Sequence, residues 1–199
     1  PDGESMQITL ENQVAIVTGA SSGLGEASAR ALAKAGAAVG VKYHSKAKPA
    51  RDLVKAIKQD GGQAIAVGAD VSDEAQVDMM FQKAIDTFGH IDILVANSGM
   101  QKDAAAEDMT VEDWNAVLSV NLTGQFLCAR AAIRQFKAQG VLDNVSRAAG
   151  KIIHMSSVHQ QTPWAGHAKY AASKGGVDLL MRSLAQEWFL RIGSSLAGG

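Results

Sequence analysis

The residues of this sequence best suited to move a proton are Tyr170 and Lys174, which stand four places apart in the stretch YAASKGG. On a helix, positions i and i+4 share one face, so the phenol and the ammonium can address a common target. The cation stabilises the phenolate by roughly 3 kcal/mol at about 5 Å, for an effective dielectric constant of about 20. Such a tyrosine can act as a general acid or base. An ordinary alanine-rich helix has the same spacing, so the pair needs support from elsewhere in the chain.

Two side chains just ahead of the tyrosine, Trp164 and His167, could line a substrate pocket. A tryptophan that follows a proline is equally often loop packing, so both interpretations stand. No histidines and acids in the chain have the spacing of metal ligands, and we expect no metal. Cys128 is the only cysteine and lies in the apolar stretch FLCARAAI. We expect a buried helix residue there rather than a nucleophile, and no intrachain disulfide.

A glycine-rich turn follows the first apolar run, where VTGASSGLGEA places Gly19, Gly23 and Gly25. Glycine allows a ligand to approach the backbone, and the start of the next helix offers free N–H groups to a pyrophosphate. The spacing is GxxxGxG and therefore differs from the GxGxxG fingerprint. A tight strand-to-helix turn without a ligand is the alternative. The position after the first strand of an alternating βα pattern favours a dinucleotide site.

The end of the second strand is where an acid would bind the ribose hydroxyls of NAD. Residues 27–51 contain no acid. Cationic and hydroxyl groups instead favour the 2′-phosphate of NADP, with NAD as the second choice. A solvated loop is the alternative interpretation. The candidate phosphate ligands are Lys42, His44, Ser45, Lys46 and Lys48.

Polar residues also follow the third and fourth strands. Asp70, in the stretch GADV, could accept a hydrogen bond from an adenine amino group or cap the helix that begins near Asp73. Asn97 and Gly99, in ANSG, end the fourth strand at the expected ligand crevice. Asn97 could equally do no more than tie neighbouring strands together.

Short apolar runs alternate with stretches of helical period, which is typical of βαβ units. Ser72 and Thr110 are predicted N-caps, and Gly61, Gly89 and Gly140 fall where helices should stop. We therefore predict an α/β fold with one parallel sheet and helices on both faces. The predicted strands are residues 14–19, 37–43, 63–70, 91–99 and 150–157, and the predicted helices are 23–35, 49–59, 73–88, 110–139 in two pieces, and 168–190.

The composition is that of a soluble globular protein. The 199 residues are 47% hydrophobic and 20% charged, with a formal net charge of −1. This length suits a single domain, and the balanced charge gives no general attraction to nucleic acid or an anionic membrane. No uninterrupted apolar run approaches the roughly 18 residues of a membrane span, and the first ten residues do not follow the plan of a signal peptide. A small-molecule substrate and a cytoplasmic location are the expectations.

Six motifs in order resemble the short-chain dehydrogenase/reductase family: TGASSGLG, ADV, ANSG, the NLTG that contains Asn121, the IIHMSS that ends in Ser157, and YAASK. The resemblance covers about residues 8–187. It implies a Rossmann-type doubly wound sheet, a nicotinamide cofactor and a homo-oligomer, either a dimer or a tetramer.

The resemblance also implies a role for each matching residue. Tyr170 is the proton donor or acceptor, Lys174 assists it and contacts the nicotinamide ribose, Ser157 orients the substrate, and Asn121 holds a water in the proton relay. Ser156 is the neighbour that could be confused with Ser157. The implied substrate-binding residues are Ser157, Trp164, His167 and Tyr170. The implied cofactor-binding residues are Gly19, Ser21, Ser22, Gly23, Leu24, Gly25, Tyr43, His44, Ser45, Asp70, Val71, Asn97, Gly99, Tyr170 and Lys174.

Within the family, the stretches MSSVHQQTPWAGHAKYAASKGG and MTVEDWNAVLSVNLTGQFL are most similar to the bacterial glucose 1-dehydrogenases. This suggests oxidation of a sugar or another secondary alcohol or hemiacetal. Reduction of a 3-oxoacyl or general carbonyl substrate is one alternative. A nucleotide-binding module without turnover is another.

The resemblance stops after Glu187. It implies a sixth strand with a Pro-Gly turn, a substrate lid and a seventh strand, none of which the sequence contains. We expect a single domain over residues 1–199 whose part after about residue 187 is truncated or incompletely represented.

Overall fold

The computed structural model describes the backbone of residues 9–196 and the side chains of residues 9–188. Each of the five predicted strands is present and shorter than expected at one end or at both. The strands are β1 (Val14–Val17), β2 (Ala38–Tyr43), β3 (Ala64–Gly68), β4 (Ile93–Ala96) and β5 (Lys151–His154).

The helices also agree with the predicted positions. The region predicted as two helical pieces is joined by a π-helical turn at Ser119–Thr123, and 3₁₀ turns form at Ala106–Asp108 and Val158–Gln160. The α-helices are α1 (Gly23–Lys34), α2 (Ala47–Gln59), α3 (Glu74–Phe88), α4 (Val111–Leu118), α5 (Gly124–Gln139) and α6 (Ala168–Leu196).

The five strands form one sheet in the order β3-β2-β1-β4-β5. β1 pairs in parallel with β2 on one side and β4 on the other, and β2 pairs in parallel with β3. The chain therefore proceeds outward from β1 to β3 and then returns to the other side of β1. In such a Rossmann-type sheet, ligands bind at the carboxyl ends of the two strands where the order reverses, here β1 and β4.

The two strands at the centre of the sheet, β1 and β4, are apolar and buried on both faces. All four residues of β1 and all four of β4 are buried. The buried carboxylate of Asp92 accepts a hydrogen bond from the backbone N–H of Val14 at 2.7 Å and so pairs the starts of these two strands. This continuous burial is the pattern expected of a parallel sheet.

The chain forms two compact units. The first comprises Pro1–Ser98 and Leu127–Ile153, and the second comprises Gly99–Phe126 and His154–Gly199. The first unit contains β1 to β4, most of β5 and helices α1 to α3, whereas the second contains α4, the π-helical turn and α6. Predicted site residues occur in both units.

Two helix starts test the predicted N-caps. Thr110 caps α4 as predicted, because its hydroxyl accepts a hydrogen bond from the Asp113 N–H at 3.0 Å. Ser72 is not the N-cap of α3. Asp73 takes that position and accepts from the Gln76 N–H, while the Ser72 hydroxyl donates to Asp70 at 2.7 Å. A carboxylate is the stronger acceptor for helix N–H groups, and it also complements the helix dipole.

One helical segment, Val111–Gln139, is long and apolar enough to span a membrane by length and composition alone, with a mean hydropathy of 1.3 over 18 residues. Val117, Leu127, Ala132 and Phe136 of this segment are buried inside the protein. The segment is therefore a core helix of the kind that soluble proteins contain.

Candidate active site

The glycine turn after β1 is shaped by close backbone packing. Gly19 and Gly23 have positive φ angles of 66° and 58°, which L side chains rarely adopt. A Cβ on Gly25 would lie 2.5 Å from Asn97 Nδ2 and even closer to the carbonyl oxygen of Gly19. The turn therefore requires glycine at position 25 to bring α1 against the end of β1.

Hydrogen bonds from Asn97 and Thr18 stabilise this turn. The Asn97 side-chain amide donates to the carbonyls of Thr18 at 2.9 Å and Gly19 at 3.3 Å. The buried Thr18 hydroxyl accepts from the N–H groups of Asn97 and Ser98, each at 2.9 Å, and donates to the Val95 carbonyl at 3.4 Å. Asn97 thus ties the ends of β1 and β4 together, as one of its two predicted roles requires. Its role in cofactor binding stays a prediction.

The start of α1 is suited to a pyrophosphate. Ser22 is the N-cap, yet its side chain caps none of the first N–H groups of the helix. Ser22 and Leu24 are exposed, with Leu24 at 68%. Uncapped N–H groups beside a glycine turn form an anion site when a phosphate is present. The residues of this turn therefore fit a dinucleotide.

The end of β2 narrows the set of candidate 2′-phosphate ligands. Lys42 is buried at 2% exposure and its Nζ donates to Ser98 Oγ at 3.3 Å, so it is not available at the surface. Burial also lowers the pKa of this ammonium. The prediction for Lys42 is wrong because both faces of the sheet are covered at this position. Lys48 is exposed and already pairs with Asp52 at 2.7 Å.

The three remaining candidates, His44, Ser45 and Lys46, are all exposed. His44 Nε2 lies 3.7 Å from Asp70 Oδ2, so the ends of β2 and β3 meet through these two side chains. Tyr43 also covers Gly68, where an added Cβ would meet the phenol ring at 3.1 Å. These contacts place Tyr43, His44 and Asp70 in one cluster.

Asp70 does not cap α3, so that alternative is wrong. Its Oδ1 accepts from the N–H and the hydroxyl of Ser72 at 2.9 and 2.7 Å. The pKa of Asp70 is lowered by the Ser72 hydrogen bonds and by the charges of His44 and Lys42, which outweigh an opposing desolvation effect. Val71 beside it is buried at 2%. The adenine contact of Asp70 stays a prediction.

Tyr170 and Lys174 lie in the second unit on the first turns of α6. The Nζ of Lys174 is 5.6 Å from the centre of the Tyr170 ring and donates to the Met155 carbonyl at 2.7 Å. Lys174 is 4% exposed, and this desolvation lowers its pKa. The lysine is therefore fixed beside the phenol by a hydrogen bond to the end of β5. The predicted pair does share one helix face.

The neighbouring serines are distinguished by their hydrogen bonds. The Ser156 hydroxyl donates to the Lys174 carbonyl at 3.0 Å, so its proton is engaged. Ser157 Oγ instead accepts from the His159 N–H at 3.3 Å, which leaves the Ser157 proton free to be donated. Only Ser157 can therefore donate to a substrate oxygen without losing a bond within the protein.

Asn121 is buried in the π-helical turn Ser119–Thr123. Its side chain accepts from the Met100 N–H at 2.8 Å and donates to the Met100 carbonyl at 2.9 Å and to Ser173 Oγ at 3.1 Å. Both amide hydrogens of this side chain are therefore engaged, and it has no free donor for a water in the proton relay. π turns change the helix hydrogen-bond register and are frequent at functional sites. Gly99, also a predicted site residue, begins this segment of the second unit.

Two positioning residues, Ser173 and Gln125, were missed in the sequence. Ser173 Oγ donates to the Tyr170 carbonyl at 2.7 Å while it accepts from Asn121. Gln125 is buried and donates to the Met155 carbonyl at 3.1 Å, the same oxygen that Lys174 uses. Both lie within four residues of predicted catalytic residues. That proximity in the sequence does not show which group either side chain would contact.

An aromatic cluster lies at the Tyr170 ring. The Trp164 and His167 rings are stacked 5.0 Å apart with an angle of 9° between their planes. The His159 ring lies 5.4 Å from each of them and stands edge-on to Tyr170 at 5.9 Å. Trp164 is 65% exposed, so its indole is available to a ligand. The cluster agrees with a substrate-binding role for Trp164 and His167 but does not test it.

A family model described as short chain dehydrogenase matches residues 13–191. The chain belongs to the short-chain dehydrogenase family. Two curated relatives of this short-chain dehydrogenase act on different substrates according to their names. A 3beta-hydroxysteroid dehydrogenase 1 from Eggerthella lenta is 42% identical over 179 residues, which are 90% of this chain and 66% of that protein. Glucose 1-dehydrogenase 2 from Bacillus subtilis is 39% identical over 177 residues, 88% of this chain and 66% of that protein.

The short-chain dehydrogenase chain thus spans 66% of the length of these curated relatives. Its backbone is similar to a crystal structure of a dehydrogenase/reductase from Sinorhizobium meliloti, with a TM-score of 0.84 and 34% identity over 93% of this chain and 70% of that one. Membership of the family implies a nicotinamide dinucleotide cofactor, without deciding between NAD and NADP.

Other groups in this short-chain dehydrogenase are poor candidates for chemistry. Cys128 is buried as predicted, and desolvation raises the pKa of its thiol to about 12, so it is not a nucleophile near neutral pH. Within the part of the chain that the structure describes, no three His, Cys, Asp or Glu side chains are grouped as metal ligands. A cavity of about 570 Å³ is lined by residues that include Arg30, Ile57 and Gln63, and it contains none of the predicted site residues.

Proposed function

We propose that this chain is an NAD(P)-dependent oxidoreductase that exchanges a hydride between a nicotinamide and a secondary alcohol, hemiacetal or ketone. The observation that carries the proposal is the arrangement around Tyr170. Lys174 is held 5.6 Å from its ring by the Met155 carbonyl, and the nearby Ser157 has an uncommitted hydroxyl proton. A module that only bound nucleotides would have no need for this set.

The first unit supplies the proposed cofactor-binding groups. The nicotinamide, when bound, accepts or donates the hydride. The glycine turn with Gly19, Gly23 and Gly25 and the uncapped start of α1 would hold the pyrophosphate. Asp70 would accept from the adenine amino group. These groups fit either dinucleotide.

NADP is the proposed preference. His44, Ser45 and Lys46 are exposed at the end of β2, where no acid is present to bind ribose hydroxyls. A cation and a hydroxyl group suit a phosphate ester. Asp70 Oδ2 lies 3.7 Å from His44 Nε2, and this carboxylate would repel the negative charge of a 2′-phosphate bound there. The proposal therefore includes use of NAD as well, at a lower rate than NADP.

The second unit supplies the proposed proton-transfer groups. In the oxidation direction, Tyr170 accepts the hydroxyl proton while the hydride leaves the carbon that bears that hydroxyl. In the reduction direction, Tyr170 donates the proton to the carbonyl oxygen. The Lys174 ammonium stabilises the phenolate by its charge. Ser157 donates a hydrogen bond to the substrate oxygen and fixes its distance from the phenol. The backbone carbonyl of Asn121 is the proposed water acceptor.

The proposed substrate is a secondary alcohol or hemiacetal carried by a ring, with glucose as the lead. One curated relative is named for a hydroxysteroid and the other for glucose, and both molecules present such a group. The exposed indole of Trp164, in the aromatic cluster at the Tyr170 ring, offers a flat surface and supports a ring-shaped substrate. Carbonyl reduction is the reverse of the same step.

The test follows the absorbance of the reduced nicotinamide with NADP and NAD against sugars, cyclic alcohols, hydroxysteroids and ketones. We expect the parent chain to turn over at least one of them and Tyr170→Phe to lose at least about 100-fold in kcat. Binding of the reduced cofactor, measured by its fluorescence, should change far less than kcat, because Tyr170 is only one of the proposed cofactor-binding residues. Equal activity of parent and Tyr170→Phe would refute the role of Tyr170.

A further inference from the structure

His159 lies between the two residues to which the proposed function assigns contact with the reacting oxygen. Its backbone N–H donates to Ser157 Oγ at 3.3 Å. Its ring stands edge-on to the Tyr170 ring, with 5.9 Å between centres and 77° between planes. A substrate oxygen that contacts both Ser157 and Tyr170 would therefore place the adjoining part of the substrate near this imidazole.

The hydrogen bond of the imidazole fixes where its proton lies. His159 Nδ1 is 3.0 Å from the Thr162 carbonyl oxygen, which can only accept, so Nδ1 carries the proton. In the neutral ring Nε2 is then an acceptor. It has no hydrogen-bond partner within residues 9–188. His159 thus offers a free acceptor nitrogen beside the Tyr170 ring.

His167 differs from His159 in this respect. Its Nδ1 lies 3.0 Å from the Ala165 carbonyl, and its Nε2 lies 3.5 Å from Asp103 Oδ1. Both ring nitrogens of His167 therefore lie near oxygen atoms of the protein, whereas His159 Nε2 does not. The stacking of His167 on Trp164 instead holds the indole in place.

The Trp164 indole adds an apolar, flat surface beside His159. The Trp164 ring is 5.4 Å from the His159 ring, and the residue is 65% exposed. An exposed indole face can cover the C–H face of a saturated ring. The cluster therefore combines an apolar platform with one directed acceptor.

We propose that His159 is a specificity residue, and that its Nε2 accepts a hydrogen bond from a hydroxyl on the carbon next to the one that is oxidised. The inference rests on the proposed function. It defines the substrate class as cyclic vicinal diols, such as sugar rings, in preference to apolar ring alcohols with one hydroxyl. Ser157 donates to the reacting oxygen, whereas His159 accepts from the hydroxyl on the adjacent carbon. The two contacts therefore distinguish the two hydroxyls of one diol.

The experiment compares 1,2-cyclohexanediol with cyclohexanol as substrates of the whole chain. The two molecules share a ring and a secondary alcohol and differ in the second hydroxyl. We expect the parent to show about tenfold higher kcat/KM for the diol, the value of one hydrogen bond of about 1.4 kcal/mol. The difference should lie mainly in KM.

Three variants of His159 separate the acceptor from the ring. His159→Phe keeps an aromatic ring and should lose the tenfold preference, which is read as the ratio of kcat/KM for the diol to kcat/KM for cyclohexanol. His159→Gln can place its amide oxygen near the position of Nε2 and should restore part of the preference. His159→Asn reaches only the position of Nδ1 and should not. His90→Phe is the control for loss of an imidazole outside the site, since His90 Nε2 lies 3.0 Å from both the Asn12 carbonyl and Asp92 Oδ2 in the first unit, and its folding is checked by urea unfolding.

The outcomes are distinguishable. Equal use of diol and monoalcohol by an active parent, or a diol preference that survives in His159→Phe, would overturn this inference and leave the proposed function intact. A preference for a 3β-hydroxysteroid that increases in His159→Phe would overturn it in favour of an apolar substrate. A parent that oxidises none of these alcohols and reduces no ketone would overturn both proposals. If His159→Phe does not fold, His159→Gln and His159→Asn still decide.

Discussion

The side-chain amide of Asn121 donates a hydrogen bond to Ser173 Oγ at 3.1 Å, and the Ser173 hydroxyl donates a hydrogen bond to the carbonyl of Tyr170 at 2.7 Å. Two residues of the proposed catalytic set are therefore joined through a serine that contacts no substrate. The link connects the π-helical turn to the first turn of α6, so it fixes the rotation of the helix that presents the phenol.

Ser173→Ala should break this link and leave the buried Asn121 N–H without that partner. We expect a loss of about 1–3 kcal/mol in the free energy of unfolding, the cost of an unsatisfied buried donor, and a lower kcat. Urea unfolding and steady-state kinetics measure the two effects. Ser28→Ala is the control, because the Ser28 hydroxyl makes the same kind of helical bond, to the Leu24 carbonyl of α1, and this bond is exposed. Equal losses in the two variants would contradict the positioning role.

Ser157→Ala and Ser156→Ala should have different effects. Removing the donor to the substrate oxygen should lower kcat by roughly 100-fold or more. Removing the Ser156 hydroxyl breaks its bond to the Lys174 carbonyl and should cost about 1 kcal/mol of stability with kcat within a few-fold. Steady-state kinetics and denaturant unfolding of both variants decide the matter. A larger kcat loss in Ser156→Ala would mean that the roles of the serines are reversed.

Lys169→Met should stabilise the chain. Lys169 is fully buried, and its Nζ has no hydrogen-bond partner among the side chains that the structure describes. It lies in the first turn of α6, where the helix dipole also disfavours a cation. Replacing such a charge with an apolar side chain of similar length should raise the free energy of unfolding by about 1–3 kcal/mol.

Lys102→Met is the matched control for this variant. Lys102 Nζ bonds Asp113 Oδ1 at 2.6 Å, and the two cations act on the same carboxylate. The pKa of Asp113 is lowered by its hydrogen bond to Lys102, with a smaller effect from the charge of Lys169. Because Lys102 is 46% exposed, its loss should change stability by less than about 1 kcal/mol. A destabilised Lys169→Met would show that the buried ammonium has a stabilising partner after all.

Gly25→Ala should be more harmful than Gly23→Ala. The new methyl at position 25 would collide with the Gly19 carbonyl and the Asn97 amide, whereas nothing lies within 4 Å of a Cβ at position 23. We expect a stability loss of about 1–3 kcal/mol from overpacking and at least tenfold weaker binding of the reduced cofactor in Gly25→Ala. Gly23→Ala carries only the strain of its positive φ, which is about 1–2 kcal/mol. Fluorescence titration and urea unfolding test the order.

His154 should make stability fall as the pH is lowered. Burial lowers the pKa of this imidazole, whose Nδ1 lies 2.8 Å from Gln125 Oε1. The unfolded chain therefore binds a proton near the ordinary histidine pKa of about 6.5, before the folded chain does. The stabilising contribution is fully present above that pH and is lost as the pH falls towards the lowered folded pKa. Urea unfolding at a series of pH values should show a shallower decline in His154→Gln, and an unchanged decline would exclude this histidine as its source.

Periodicity located the α-helices and strands that the structure describes, although not the π-helical and 3₁₀ turns, because a parallel sheet demands apolar runs separated by amphipathic helices. Burial explains why the prediction of Lys42 as a 2′-phosphate ligand is wrong. Lys42 lies within the predicted strand 37–43, and because that strand is buried on both faces at this position, the side chain reaches Ser98 inside the protein instead of a phosphate at the surface. Sequence alone could not reveal this, because the stem of a lysine is apolar and tolerates burial.

The order of the motifs predicted Tyr170, Lys174 and Asn121 but not the contacts that hold them. Ser173 and Gln125 act through tertiary hydrogen bonds to backbone carbonyls, which leave no spacing signal in the chain. The difference between Ser156 and Ser157 likewise depends on which hydroxyl proton is engaged. No spacing pattern in the sequence indicates a role for His159, because its place in the ring cluster depends on the fold of residues 158–167.

The Thr18 hydroxyl accepts from two backbone N–H groups and donates to one carbonyl. Valine has the same shape as threonine, yet it would leave two amides at the end of β4 without an acceptor. Serine could make the same bonds at the cost of one methyl contact. Natural selection at this position would therefore act on the oxygen rather than on the volume, and neutral drift there would be confined to the exchange of threonine and serine.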